Sequence, residues 1–197
     1  ALGLGIDRTP DDRMTLRTTL RAATRQDHDR VDQLGGAFDF TNPSDYEAFL
    51  RAHAAVLPGV EAALDSAPPE DLPPAWAQRR RTAALTADLA ALGLAPPPQA
   101  AIPLALPDRA TRLGALYVLE GSRLGGAVLR RRLAASQPQA PDAYLAHGAG
   151  QPFWRSFLDW LDGQVMSEAQ TDAAVEGARQ VFRAFEMAFK IEPSPAR

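Results

Sequence analysis

The stretch Gly114-Ala-Leu-Tyr-Val-Leu-Glu-Gly-Ser-Arg-Leu-Gly-Gly126 decides how the chain is read. Its apolar residues recur at helical spacing, with Leu113, Tyr117 and Leu124 on one stripe, yet it carries four glycines. A glycine inside a helix costs roughly 1 kcal/mol relative to alanine, so a helix that keeps several needs a reason. At about 100° per residue Gly114, Gly121 and Gly125 fall within about 40° of arc, bracketed by Val118 and Val128. One helix face is therefore nearly bare backbone. Two readings fit it: a second helix crosses closely through small residues, or a flat ligand lies against the backbone with room for a small molecule above its plane.

The rest of the chain supplies helices to pack around this one. Alanine is frequent while valine, isoleucine, tyrosine and threonine are sparse, so the intrinsic preference is helical almost throughout. The 17 prolines are expected between elements, and their clusters over 68–74, 96–107 and 138–141 divide the chain into blocks. The spacing predicts helices over 15–33, 44–65, 76–92, 108–135, 152–164 and 167–190, an all-α bundle in a single domain. Thr15, Ser44 with Glu47, and Ser167 with Gln170 are the expected N-caps. Residues 1–13 read as an N-terminal tail, and 96–106 as a packed, proline-broken loop.

Composition excludes several classes. The chain has 197 residues, 46% of them hydrophobic, which suffices for one core without staples. With no cysteine there can be no disulfide, thiolate metal site, iron–sulfur cluster or cysteine nucleophile, so any metal must take nitrogen or oxygen ligands. Twenty-one basic against 24 acidic residues leave a net charge of −3 and lack the basic excess of a nucleic-acid binder. No window approaches the roughly 20 apolar residues of a membrane span, and a cytoplasmic protein is expected. Nucleophile elbows, phosphate loops, His-Glu-x-x-His and Glu-x-x-His pairs are all absent.

A second constellation lies in the first helix. Arg17, Arg21, Thr24 and His28 follow at spacings of four, three and four, which places guanidinium groups on nearly the same side as the imidazole, with Arg25 a little further round. One reading is a solvated basic face carrying an incidental histidine. The other is a neutral imidazole ligating a metal centre whose attached anionic groups lie toward the arginines, as in a porphyrin with carboxylate side chains. Asp32, one turn after His28, can accept the ring's other N–H and fix its tautomer. The last helix carries Val181, Phe182, Phe185 and Phe189 on one side, as core or as a pocket wall. His53 and His147 lack partners at ligand spacing and read as structural.

Together these segments resemble the heme oxygenase family, in particular its bacterial branch found with biliverdin-using phytochromes. Leu20-Arg-Ala-Ala-Thr-Arg-Gln-Asp-His28 resembles the proximal-helix motif, and Tyr117-Val-Leu-Glu-Gly-Ser-Arg-Leu-Gly-Gly126 the glycine-rich distal helix. The likeness runs over about residues 15–190, within a single domain spanning 14–192. It implies heme held between those two helices as both cofactor and substrate, with His28 as proximal ligand and Asp32 as its partner. It also implies propionate contacts from Arg21 and Arg25, which occupy the family's positions while Arg17 is placed only by the helical wheel, and a pocket lined by Tyr117, Leu124 and Phe182. Gly121 and Gly125 would lie over the heme and leave space for O₂. Such enzymes draw electrons from a reductase or ferredoxin and release biliverdin, iron and carbon monoxide, which makes a phytochrome a candidate consumer. Two departures stand out. Ser122 occupies the place where many members carry a proton-organising Asp, leaving Glu120 or ordered water as alternatives. Trp154 and Leu158 occupy places where other members put basic residues on the penultimate helix, and Arg155 is their neighbour. A heme-binding or heme-sensing protein with little turnover is therefore the alternative reading.

Overall fold

The computed structural model describes residues 15–98 and 104–192, and among these the chain forms nine α-helices and no strand. They are α1 (Leu16–Ala23), α2 (Arg25–Gly35), α3 (Pro43–Asp65), α4 (Trp76–Arg79), α5 (Thr82–Ala91), α6 (Arg109–Ser136), α7 (Ala143–Ala146), α8 (Phe153–Asp162) and α9 (Glu168–Ile191), with a 3-10 turn at Pro69–Asp71. The expected tail over 1–13 and the middle of the 96–106 loop lie outside the described residues.

Helices α6 and α9 form the spine. They approach so closely that a Cβ added at Gly114 would sit 1.8 Å from the Ala174 carbonyl oxygen, and one at Gly177 would sit 2.1 Å from that of Thr111. Backbone meets backbone there, and a side chain at either position would force the helices apart. α3 packs on α5 and α9, α7 fits between α5 and α6, and α8 lies on α6. α1 and α2 also rest on α9, so α9 is the floor shared by the N-terminal helices and α6. Leu20, Leu50, Leu57, Leu113, Phe157 and Val181 are among the fully buried side chains joining these elements.

Local capping follows the expectation at two places, where Thr15 accepts from the Thr18 N–H at 3.2 Å and Ser167 with Gln170 forms a capping box, and a further box, Asp108 with Thr111, starts α6. Elsewhere tertiary partners reshape the expected helices. The expected 15–33 helix breaks at Thr24 (φ −107°, ψ 8°), whose hydroxyl bonds back to the Leu20 carbonyl at 2.8 Å. The expected 76–92 helix breaks at Arg80, which is extended, because the Glu61 carboxylate takes the N–H groups of Arg81 and Thr82 and restarts the chain as α5. Asn42, not Ser44, caps α3: Pro43 takes the first helical position, where its missing N–H costs nothing, and the Asn42 side chain accepts from Ser44. Pro58 lies inside α3, against the expectation that prolines fall between elements; the buried Ala54, Leu57, Val60 and Leu64 hold the helix together across it. The short α7 was not expected at all. Its first N–H groups, from Ala143 and Tyr144, are taken by Asp88 at 3.0 and 2.8 Å.

Candidate functional site

The break at Thr24 delivers His28 to the first turns of α2 rather than to a continuous first helix. Its side chain is 58% exposed, its Nδ1 lies 3.4 Å from Asp32 and 3.8 Å from Asp29, and its ring meets Phe182 of α9 edge-on at 6.2 Å between centroids. Two carboxylates thus back one ring nitrogen. Asp32 is where the spacing placed it, and Asp29 is an addition that the helical wheel did not single out. With Nδ1 turned to the carboxylates, Nε2 is the nitrogen left for a metal.

Helix α6 also packs on α9, and its character changes along its length. Up to Glu120 it is largely buried; from Gly121 onward one face opens. A Cβ at Gly121 would touch only the Trp154 ring, at 3.7 Å, and a Cβ at Gly125 would meet nothing within 4 Å. Leu124 and Val128, at 55% and 40% exposure, are large apolar side chains uncovered beside that bare backbone. Of the three glycines aligned in the sequence, Gly114 serves the helix crossing while Gly121 and Gly125 serve an open face. The close-crossing reading holds at Gly114, and at Gly121 and Gly125 the backbone is left open.

Tyr117 connects the two sides. Burial raises its phenol above the usual range, and the positive charges of Arg21 and Arg17 on α1 pull it back. Its ring packs on Trp154 at 6.0 Å. Arg17, which the resemblance set behind Arg25, therefore acts with Arg21 on the electrostatics of Tyr117, whereas Arg25 begins α2 beyond the break. Arg17, Arg21 and Arg25 have no acidic partner among the described residues.

Behind the open face lies a polar network that sequence reasoning missed. Glu120, 1% exposed, pairs with Arg79 at 2.7 Å and with Arg123 at 2.9 Å, and Arg123 reaches His147 Nδ1 at 3.3 Å. Arg79 and Arg123 both lie over the Phe153 ring. Arg81 donates to the Leu119 carbonyl at 2.9 Å and to the Ser122 hydroxyl at 3.0 Å, and that hydroxyl itself donates to Leu119 at 2.7 Å. The Ser122 proton is thus already committed, and Glu120 is bound into an ion network rather than free to carry protons. Burial, with the neighbouring Arg123 and Arg81, lowers the His147 pKa. His53 is enclosed by Phe49, Tyr144, Phe185 and Phe189, holds the Phe49 carbonyl at 2.9 Å through Nδ1, and is lowered by burial to about 4. Nothing local to the three arginines at 79–81 signals that two of them turn inward.

These groups fit a flat, iron-bearing ring with carboxylate arms. The imidazole with its carboxylates suits the metal, the uncovered apolar face with no Cβ in the way suits the ring, and cations without acid partners suit the arms. The described residues hold no cluster of three or more His, Asp or Glu that would serve a bare metal ion, and no described helix is long and apolar enough to cross a membrane.

Comparison with known proteins agrees. The heme oxygenase family model matches residues 14–190. A heme oxygenase of Xanthomonas campestris is 36% identical over 153 residues, covering 76% of this chain and 92% of its own. Heme oxygenase PigA of Pseudomonas aeruginosa is 31% identical over 180 residues, covering 88% and 91%. The NO- and CO-bound heme oxygenase of Neisseria meningitidis superposes with a TM-score of 0.80 at 25% identity, over 91% of this chain and 92% of that one. With the family model spanning nearly all of the described helices, the chain belongs to the heme oxygenase family.

Proposed function

We propose that this protein opens the heme ring oxidatively, using O₂ and electrons from a separate reductase or ferredoxin, and yields biliverdin, carbon monoxide and ferrous iron. The observation that carries the proposal is the pairing of an exposed, carboxylate-backed His28, whose ring meets Phe182 of α9, with a helix face on which a Cβ at Gly125 meets nothing within 4 Å. Bound heme supplies the iron centre at which O₂ is activated and the ring carbon that is oxidised. His28 binds the iron through Nε2, and Asp32, with Asp29 beside it, accepts from Nδ1 and strengthens the imidazole as a donor. Arg21 and Arg25, with Arg17, hold the propionates as charge-assisted hydrogen-bond donors. Gly121 and Gly125 admit the ring and a diatomic molecule to the backbone, while Tyr117, Leu124 and Phe182 exclude water from its faces.

Proton delivery follows from what Ser122 can do. Its hydrogen is donated to Leu119 and one lone pair is taken by Arg81, so one acceptor site remains to orient a water molecule. Ser122 holds that water and Arg81 holds Ser122. The proposal includes a cytoplasmic setting, where such electron donors operate, and the resemblance to the phytochrome-associated branch makes a biliverdin-using phytochrome the proposed consumer.

The test is anaerobic reconstitution with heme, then addition of reductant and O₂. Loss of the Soret band with growth of a biliverdin spectrum is the expected result. Heme that binds and persists through several electron donors overturns the proposal in favour of the heme-binding or heme-sensing alternative.

A further inference from the structure

His28 sits one turn past a helix break, so its direction depends on how α2 is set relative to α1. Thr24 departs from helical geometry at φ −107° and ψ 8° and does not cap α2 with its side chain. The Thr24 N–H and hydroxyl both bond to the Leu20 carbonyl and the His28 N–H to the Thr24 carbonyl, and α9 adds a side-chain tie to these local bonds. Arg179, on α9, donates through Nη2 to the Ala23 carbonyl at 3.1 Å, and its Nε lies 3.6 Å from the Asp27 carboxylate. Ala23 is the last residue of α1, where carbonyls lack intrahelical partners and the helix dipole favours a cation. Asp27 is the acid in the first turn of α2, where the dipole favours an anion. One guanidinium thus joins the end of one helix to the start of the next. Asp27 also pairs with Arg30, and Arg30 reaches Glu186 of α9 at 3.4 Å. Arg179 stands one turn before Phe182 on α9 and Glu186 one turn after it, so ionic ties bracket the contact between Phe182 and His28.

We propose that Arg179 is a positioning residue for His28: by tying the last carbonyl of α1 and the first-turn carboxylate of α2 to one point on α9, it sets the bend at Thr24 and the direction of the imidazole. The inference rests on the reading that His28 ligates the heme iron. Arg183, one turn further along α9, serves as the internal control, because it pairs with Glu176 on its own helix.

The experiment is heme titration of the full chain, followed by absorption spectra for axial ligation and, without heme, by 15N spectra of the His28 ring. Wild type is compared with R179A, R179K, R183A, D27N and H28A, with helix content checked by circular dichroism. R179A is expected to lose roughly tenfold in heme affinity, the lower end for a residue acting through a metal ligand, to show mixed ligation, and to shift the His28 ring signals without heme. R179K recovers part of this, D27N moves in the same direction, and R183A matches wild type. If R179A and D27N both match wild type while H28A loses the ligated spectrum, the inference about Arg179 is overturned and His28 stands as ligand. If H28A also matches wild type, the ligand assignment and the inference fall together. Should R179A lose its helices, D27N breaks the same tie from the α2 side, and an unchanged His28 signal and affinity there overturns the inference alone.

Discussion

Gly114 and Gly125 lie on one face of one helix, three turns apart, and the protein uses them in opposite ways. At Gly114 the face is closed by α9 so tightly that a Cβ would sit 1.8 Å from a carbonyl oxygen; at Gly125 the same face meets nothing within 4 Å. The first half of α6 spends its small residue on packing, and the second half on leaving a surface uncovered. The difference teaches that a small-residue stripe does not by itself say what approaches it, and that the floor helix α9 closes one half of the face and leaves the other open. Between them stands Glu120, where buried arginines anchor the backbone just before it opens.

The largest way to break this arrangement is at that boundary. Glu120→Ala leaves the guanidinium groups of Arg79 and Arg123 without their buried acid, and should cost roughly 3–5 kcal/mol, read as a fall of about 10 °C or more in Tm. At the closed end, Gly114→Ala should cost about 3 kcal/mol, with Tm falling by several degrees, because neither backbone can yield to the added methyl. The packed core is also expected to be acid-sensitive through His53. Its folded pKa of about 4 lies below the ordinary 6.5, so its stabilisation is fully present above pH 6.5 and is lost as pH falls toward 4. At 1.36 kcal/mol per unit this amounts to about 3 kcal/mol, and melts between pH 7 and 4 should show a slope that His53→Phe flattens. The smallest effect is the most instructive. Gly125→Ala should leave stability unchanged or raise it by up to about 1 kcal/mol, since alanine is the better helix former and the space is open, while heme affinity falls. An equal loss of stability at the two glycines would erase the distinction between the halves.

Much of this was legible in the residues themselves. The spacing predicted 108–135 and 167–190, and α6 and α9 run over Arg109–Ser136 and Glu168–Ile191, because those helices are delimited by their own caps. His28 with Asp32 was legible for the same reason, since a spacing of four is a local property of a helix. What could not be read was set by distant partners. The break at Arg80 depends on Glu61, some twenty residues earlier, and the bend at Thr24 is joined from Arg179 on the last helix. The assignment of Gly114 to packing depends on the backbone of Ala174 and Ala178 on α9, which no spacing within α6 can reveal. The inward turn of Arg79 and Arg81 depends on acceptors at 119–122, so a charged run concealed the support of the site.

The most direct test is a crystal structure of the protein with heme bound. The account predicts the ring lying between α2 and the second half of α6, the iron on His28 Nε2, and Gly121 and Gly125 against the opposite face. Iron ligated by another residue, or a ring lying away from Gly121 and Gly125, would contradict it.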